Sequence, residues 1–225
     1  MRENYEQTPE GSYKSLKYKE PKDLYFNDYW SHARKHSTIH EQQWNVVDKN
    51  KLVIRDLTKI SPRTVLEIAC APGSLLQTLA PVFSCVGIEV DPANKEAIQS
   101  IASKAELHFG FFPEVTKRWQ GSQFSNVIAL DVFEHVEDGM SFLKECRRLL
   151  VPQGHLIIQA PMILQDGLQE PDYMFGTADE HIWIYDIKHV TAMLREAEFE
   201  LLRIDRWKLG HEHIVARRIG NLNPS

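Results

Sequence analysis

From Thr64 onward, short apolar runs alternate with amphipathic stretches of helix length. The runs TVLEIA, CVGIEV, ELHFG, NVIALDV and HLIIQAP begin at Thr64, Cys85, Glu106, Asn126 and His155. Most are near-continuous in aliphatic residues, the pattern of strands buried on both faces of a parallel sheet. Residues 73–82, 91–103 and 138–150 between them carry helical spacing. Such alternation predicts an α/β fold with a doubly wound, Rossmann-like sheet and helices on both faces. Asp91 followed by Pro92 supplies an N-cap with proline at the first helical position, while Pro152 and Gly154 are read as closing the segment Phe142 to Val151.

Beyond Pro161 the pattern breaks. Residues 162–180 read as a long functional loop, Asp186 to Ala197 as a helix, and Phe199 to Trp207 with His211 to Arg218 as two strands joined by a turn at Gly210. An antiparallel hairpin at the sheet edge follows, giving seven strands, mainly parallel, with an antiparallel last strand. Upstream, Gln42 to Thr58 has helical spacing and Tyr25 to His36 mixes aromatics with histidines. Residues 1–58 are therefore read as a helical cap or lid whose first dozen residues carry no order, and residues 59–225 as the main domain.

Composition narrows the partners. Lys and Arg total 26 against 31 Asp and Glu, a net charge of −5, with no basic run long enough to track phosphates. Nucleic acid is therefore not expected as a partner. No apolar run reaches membrane-spanning length and residues 1–20 lack the apolar core of a signal peptide, so no membrane contact and a cytoplasmic location are expected. Cys70, Cys85 and Cys146 are widely spaced within apolar contexts and read as buried free thiols.

The chemistry concentrates at strand ends. Val65 to Gly73 reads VLEIACAPG, runs into a helix-like segment, and is followed by VGIEVDP from Val86 to Pro92. A strand ending in an acid, a Gly-bearing turn, a helix and a second strand ending in an acid form a nucleotide-binding βαβ half. Glu67 lies where open α/β sheets place ligands, and Glu89, with Val90 beside it, stands where an acid accepts hydrogen bonds from ribose hydroxyls. Caps with no ligand remain an alternative reading of both acids. A nicotinamide-dependent oxidoreductase shares this unit, but of the G-x-G-x-x-G fingerprint only Gly73 is present. Asp131, Glu134 and His135 follow the fourth predicted strand and so reach the same rim. The ordinary pKa of imidazole makes His135 a candidate general base, and His181 offers a second imidazole. A structural Glu134–His135 pair is the alternative.

These blocks resemble the class I S-adenosylmethionine-dependent methyltransferases over about residues 60–218. VLEIACAPG, Glu89, NVIALDVFEHV, LLVPQGHLIIQAP and the tail from Asp179 to Ile204 match that family's blocks in order. The resemblance implies S-adenosylmethionine as cofactor and a small-molecule acceptor methylated on oxygen or nitrogen. Glu67 then orients the amino-acid end of the cofactor, Gly73 permits close approach, Glu89 holds the ribose and Asp131 lines the reactive end. Ala69 and Ala71 stand where the family commonly has glycine, adding methyl groups beside the methionine moiety. After the third strand the family often has a Gly-Asp pair, whereas here Gly110 is followed by Phe111 and Phe112, which would leave adenine to apolar or stacking and backbone contacts; the alternative is that both phenylalanines are core.

Asp131, Glu134, His135 and His181 also resemble the Mg²⁺-binding set of certain methyltransferases. Because the same letters occur in relatives without metal, no metal is assigned. Tyr25, Tyr29, Trp30, His32 and His36 are read as lining an acceptor pocket, or as stapling the cap to the core. A methyltransferase-like domain without catalysis is the rival reading, and no oligomeric state is implied.

Overall fold

The computed structural model describes residues 2–17, 50–163, 181–208 and 211–220. After a single 3-10 turn, β1 (Tyr5–Gln7) and β2 (Tyr13–Ser15) form a hairpin, and residues 50–56 form the helix α1. The main sheet follows as β3 (Thr64–Ile68), α2 (Ser74–Leu79), β4 (Ser84–Glu89), α3 (Lys95–Ile101), β5 (Glu106–Phe109) and β6 (Phe124–Leu130). It continues with α4 (Gly139–Leu149), β7 (Leu150–Ile163), β8 (Trp183–Asp186), α5 (Ile187–Glu196), β9 (Phe199–Lys208) and β10 (His211–Arg218).

Seven strands lie in the order β5-β4-β3-β6-β7-β10-β9. Neighbours from β5 to β7 are parallel, and β10 runs antiparallel to both β7 and β9. The order reverses between β3 and β6 on one side and β4 on the other, which makes the end of β3 the switch point where open α/β sheets hold ligands. Two apolar layers hold the sheet. On one face Leu66, Val127 and Ile158 pack with Phe142 and Leu143 of α4 and Leu194 of α5. On the other, Val65, Ile128 and Ile157 pack with Val53 of α1, Leu76 of α2 and Ile98 of α3. Each such side chain removed from water stabilises the fold by about 1.5–3 kcal/mol.

Aspartates start the helices as their local chemistry dictates. Asp91, Asp138 and Asp186 accept hydrogen bonds from the backbone N–H groups of Ala93, Ser141 and Lys188. Among the described residues no helix is long and apolar enough to cross a membrane. The three cysteines are free and buried, as expected.

The structure departs from the sequence reading at several elements. Pro152 and Gly154 do not close a helix; α4 ends at Leu149 and the chain turns directly into the 14-residue β7, which extends to Ile163. Its last residues, Met162 and Ile163, pair in parallel with Tyr185 and Asp186 of β8, a strand absent from the sequence reading. β8 in turn pairs antiparallel with β2, and β1, within the first dozen residues where no order was expected, joins this extension through β2. Ser12 fixes this docking: its wholly buried hydroxyl accepts the Asp186 N–H at 2.9 Å and lies 2.7 Å from Nδ1 of His189. The aromatic and histidine cluster at 25–36 and most of the predicted loop 162–180 lie outside the described residues.

Candidate active site

The rim begins at the end of β3. Glu67 is the fourth residue of that strand and is buried, and its Oε2 has no hydrogen-bond partner. Removal from water raises its pKa well above the carboxylate range, and the neighbouring Glu89 carboxylate raises it further. A buried carboxyl so placed gains from a cationic partner.

The turn after β3 is built tightly. Ala69 has a φ of 58°, the left-handed region that glycine enters without strain. The Cys70 N–H continues the strand pairing by donating to the Ile88 carbonyl, and the Gly73 N–H returns to the Cys70 carbonyl at 2.7 Å. Gly73 itself has a φ of 94°, and a Cβ there would lie 3.0 Å from Ile98 Cγ2. In β4, Gly87 leaves room for this turn: a Cβ would lie 2.6 Å from the Cys70 sulfur.

Glu89 ties the two βα turns together. Its carboxylate accepts from the Ala71 N–H at 3.2 Å and the Asp91 N–H at 3.1 Å, with the Asn94 amide at 3.5 Å. Burial raises its pKa, while the two backbone donors act in the opposite direction. Each carboxylate oxygen has two lone pairs, so capacity remains for hydroxyl donors.

Val90 is half-buried beside it. Beyond β5, Gly110 has a φ of 137° and its N–H donates to the Glu89 carbonyl. Phe112 packs edge-on against Phe142, ring centroids 4.9 Å apart, and joins the main core. Phe111 is half-buried next to it. Of the two phenylalanines, Phe112 thus follows the core alternative.

On the other side of the crevice, Asp131 follows β6 with a φ of 53°, and its N–H donates to the Gln159 carbonyl at 2.8 Å. A 3-10 turn, Phe133–His135, comes next. Phe133 anchors it by stacking on Tyr185 with centroids 4.6 Å apart. Wholly buried, Phe133 presents Glu134 and His135 at a fixed height. The Ile182 N–H donates to the Glu134 carbonyl, which draws in the chain just after His181.

As a result the His135 and His181 rings meet edge-on at 4.8 Å, and the ligating atoms of Glu134, His135 and His181 all lie within 4.8 Å of one another. Asp131 is not part of that convergence. Burial first, then the neighbouring His135 and His211, hold the His181 pKa down to about 3, so its imidazole is neutral at ordinary pH. A neutral imidazole keeps the lone pair that a base or a metal ligand needs.

His211 is the rim residue missed from sequence. It opens β10 opposite Pro161 of β7. The alternation of HEHIVARR carried the signal, since a strand starting there brings its first residue to the end of β7.

A family model described as a methyltransferase domain matches residues 29–204. The chain belongs to that family. This methyltransferase domain is class I and S-adenosylmethionine-dependent in type, with the sheet order and antiparallel last strand described above.

It is 29% identical over 110 residues to the ubiquinone biosynthesis O-methyltransferase of Bradyrhizobium diazoefficiens, covering 47% of this chain and 42% of that protein. It is likewise 29% identical over 104 residues to the chloroplastic tocopherol O-methyltransferase of Arabidopsis thaliana, covering 43% of this chain and 29% of that one. These aligned stretches span less than half the length of either relative. Among solved structures, a chain from the complex of a Haloferax volcanii methyltransferase activator with a methyltransferase superposes with a TM-score of 0.69 at 12% identity. That match covers 86% of this chain and 97% of the other. The [4+2]-cyclase SpnF superposes at 0.61 with 14% identity, covering 77% and 81%. The methyltransferase fold therefore also carries a cyclase, and the reaction must be argued from the site.

Proposed function

We propose that this chain binds S-adenosylmethionine across the ends of β3 and β4 and transfers its methyl group to an oxygen or nitrogen of a small molecule in the cytoplasm. One observation carries this reading: two buried carboxylates on adjacent parallel strands, Glu67 with an oxygen left unpartnered and Glu89 clamped between two turns. A cationic amino-acid end answers the first and vicinal ribose hydroxyls the second. The O-methyltransferase relatives favour oxygen as the acceptor atom.

Bound S-adenosylmethionine supplies an already activated methyl group, so the protein's work is positioning and, for a hydroxyl or ammonium acceptor, removal of a proton. Glu67 orients the amino-acid end. The turn from Ala69 to Gly73 lies against the methionine portion, with the Ala69 and Ala71 methyl groups narrowing the approach. Glu89 and Val90 seat the ribose, and Phe111 flanks the adenine. Asp131 borders the reactive end. His135 takes the acceptor's proton, with the neutral imidazole of His181 beside it.

Glu134, His135 and His181 also have the donor set for a divalent cation, one buried carboxylate and two imidazoles within mutual reach. Such an ion would add Lewis acidity toward an acceptor hydroxyl.

Calorimetric titration with S-adenosylmethionine and with NAD tests the cofactor assignment. Saturable binding of the first and none of the second is expected; the reverse would make the chain an oxidoreductase. Methyl transfer from labelled S-adenosylmethionine across a panel of phenols and amines then tests catalysis, and His135→Ala should lower turnover far more than cofactor affinity.

A further inference from the structure

Beneath the rim lies a second group of buried polar atoms. Gln159 of β7 stands directly opposite His213 of β10 in the antiparallel register, and the next pair on the same face is Ile157 with Val215. That pair belongs to the apolar layer under α1, so Gln159 and His213 face the same side by the two-residue period of strands. Both are wholly buried. Neither Oε1 nor Nε2 of Gln159 has a partner, and Nδ1 of His213 has none either. Native interiors seldom leave an amide in this state, because its hydration is lost with nothing in return.

The protonation of His213 follows from its other nitrogen. Nε2 lies 2.9 Å from Oδ2 of Asp56, a carboxylate also held by Arg55 and Arg203. Both arginines pair with Asp205 as well. Two guanidinium groups and two carboxylates already balance, so a charged imidazole would be a surplus buried cation. His213 is therefore neutral, Nε2 carries its hydrogen toward Asp56, and Nδ1 presents a bare lone pair beside Gln159.

This pair sits one step below the proposed reaction site. The Gln159 carbonyl takes the Asp131 N–H, and His211, two residues along β10 from His213, interacts electrostatically with His181. Together Gln159 and His213 offer two acceptor atoms and the two N–H bonds of one amide, all without net charge. An anion would meet two lone pairs there, and a hydrocarbon would leave every atom unsatisfied. A hydroxyl satisfies both kinds, donating its hydrogen and accepting an amide N–H.

We propose that Gln159 and His213 form a neutral polar subsite that recognises a hydroxyl group of the methyl acceptor. This assignment deepens the methyltransferase reading and rests on it. Its residues select and orient; they perform no chemistry.

NMR titration of the full chain with S-adenosylhomocysteine bound tests it, using phenol, toluene and benzoate as probes. Phenol should bind at least about ten-fold more tightly than the other two, the preference a hydroxyl-reading site confers. It should also move the Gln159 side-chain amide resonance, identified by its loss in Gln159→Leu. In that variant the phenol-to-toluene ratio should fall to within about three-fold, with S-adenosylhomocysteine affinity unchanged. Equal binding of the three probes, an unmoved amide resonance, or a retained preference in Gln159→Leu would overturn the subsite. Failure of the wild-type chain to take up S-adenosylhomocysteine would strike the cofactor assignment instead. The phenol response of the Gln159 amide, read on the cofactor-free chain, would then decide the subsite by the same criteria.

Discussion

Single residues at this rim hold conformations that oppose their own preferences. Ala69 occupies the left-handed region where a side chain costs about 1–2 kcal/mol, and glycine would relieve that strain while adding freedom to the unfolded chain. Ala69→Gly should therefore leave apoprotein stability level or raise it by up to about 1 kcal/mol in urea unfolding. Gly87→Ala should do the opposite. The added methyl would collide with the Cys70 sulfur and Leu76, a cost of about 1–3 kcal/mol and a distorted cofactor turn. Glu89→Ala should weaken S-adenosylmethionine by roughly 1–3 kcal/mol in calorimetry, since charge-assisted bonds to the ribose disappear along with the clamp on the Ala71 and Asp91 N–H groups.

Sequence alone placed Glu67 and Glu89 near the ends of two strands, because an acid after an apolar run is a local signal. The partners of Glu89 were not legible, since the Ala71 N–H reaches it only once two turns have folded together. His211 escaped for a similar reason, as its height depends on the register of β10 against β7.

At the scale of elements, the 3-10 turn Phe133–His135 is held from below by Phe133 in addition to its own hydrogen bond from the His135 N–H to the Val132 carbonyl. Phe133→Ala should cost about 3–5 kcal/mol through the cavity left against Tyr185 and Phe142. It should also loosen the approach of His135 to His181, visible as altered imidazole resonances. The strand–helix alternation was readable because buried parallel strands are continuous apolar runs. β8 was not, being four residues of mixed polarity next to a strong aspartate cap. Pro152 and Gly154 misled for a physical reason: both are helix breakers, but here they sit in extended β7, where Gly154 lies against the Val151 and Ser125 carbonyls.

The joint between α1 and the β9–β10 hairpin carries a pH dependence. Burial, then Arg55, holds the His213 pKa down to about 4 from an ordinary 6.5. The unfolded chain therefore binds this proton more readily than the folded one. The contribution is complete above about pH 6.5 and is lost as pH falls toward 4, by roughly 3 kcal/mol. Denaturant midpoints between these limits should fall less steeply in His213→Gln than in the wild-type chain.

For the molecule as a whole, the sheet order brings the ends of β3, β4, β5 and β6 and the start of β10 to one edge. β3, β4 and β5 supply the cofactor side, while β6, β7 and β10 supply the acceptor side, with the crossover reversal between them. The core needed no long-range information to be legible; the three-stranded extension β1-β2-β8 did, because residues 13 and 14 pair with residues 183 and 184 across most of the chain.

The central claim is that Glu67, buried and with its pKa raised by removal from water and by Glu89, receives the cationic end of S-adenosylmethionine. Calorimetric titration at a series of pH values, each in two buffers of different ionisation enthalpy, measures it directly, because a cation beside Glu67 lowers its raised pKa and releases a proton over the interval between the two values. The wild-type chain should bind S-adenosylmethionine with proton release, and Glu67→Gln should bind it more weakly with that release abolished. Equal affinity and an equal proton count in the two proteins, or no binding by the wild-type chain, would contradict the account.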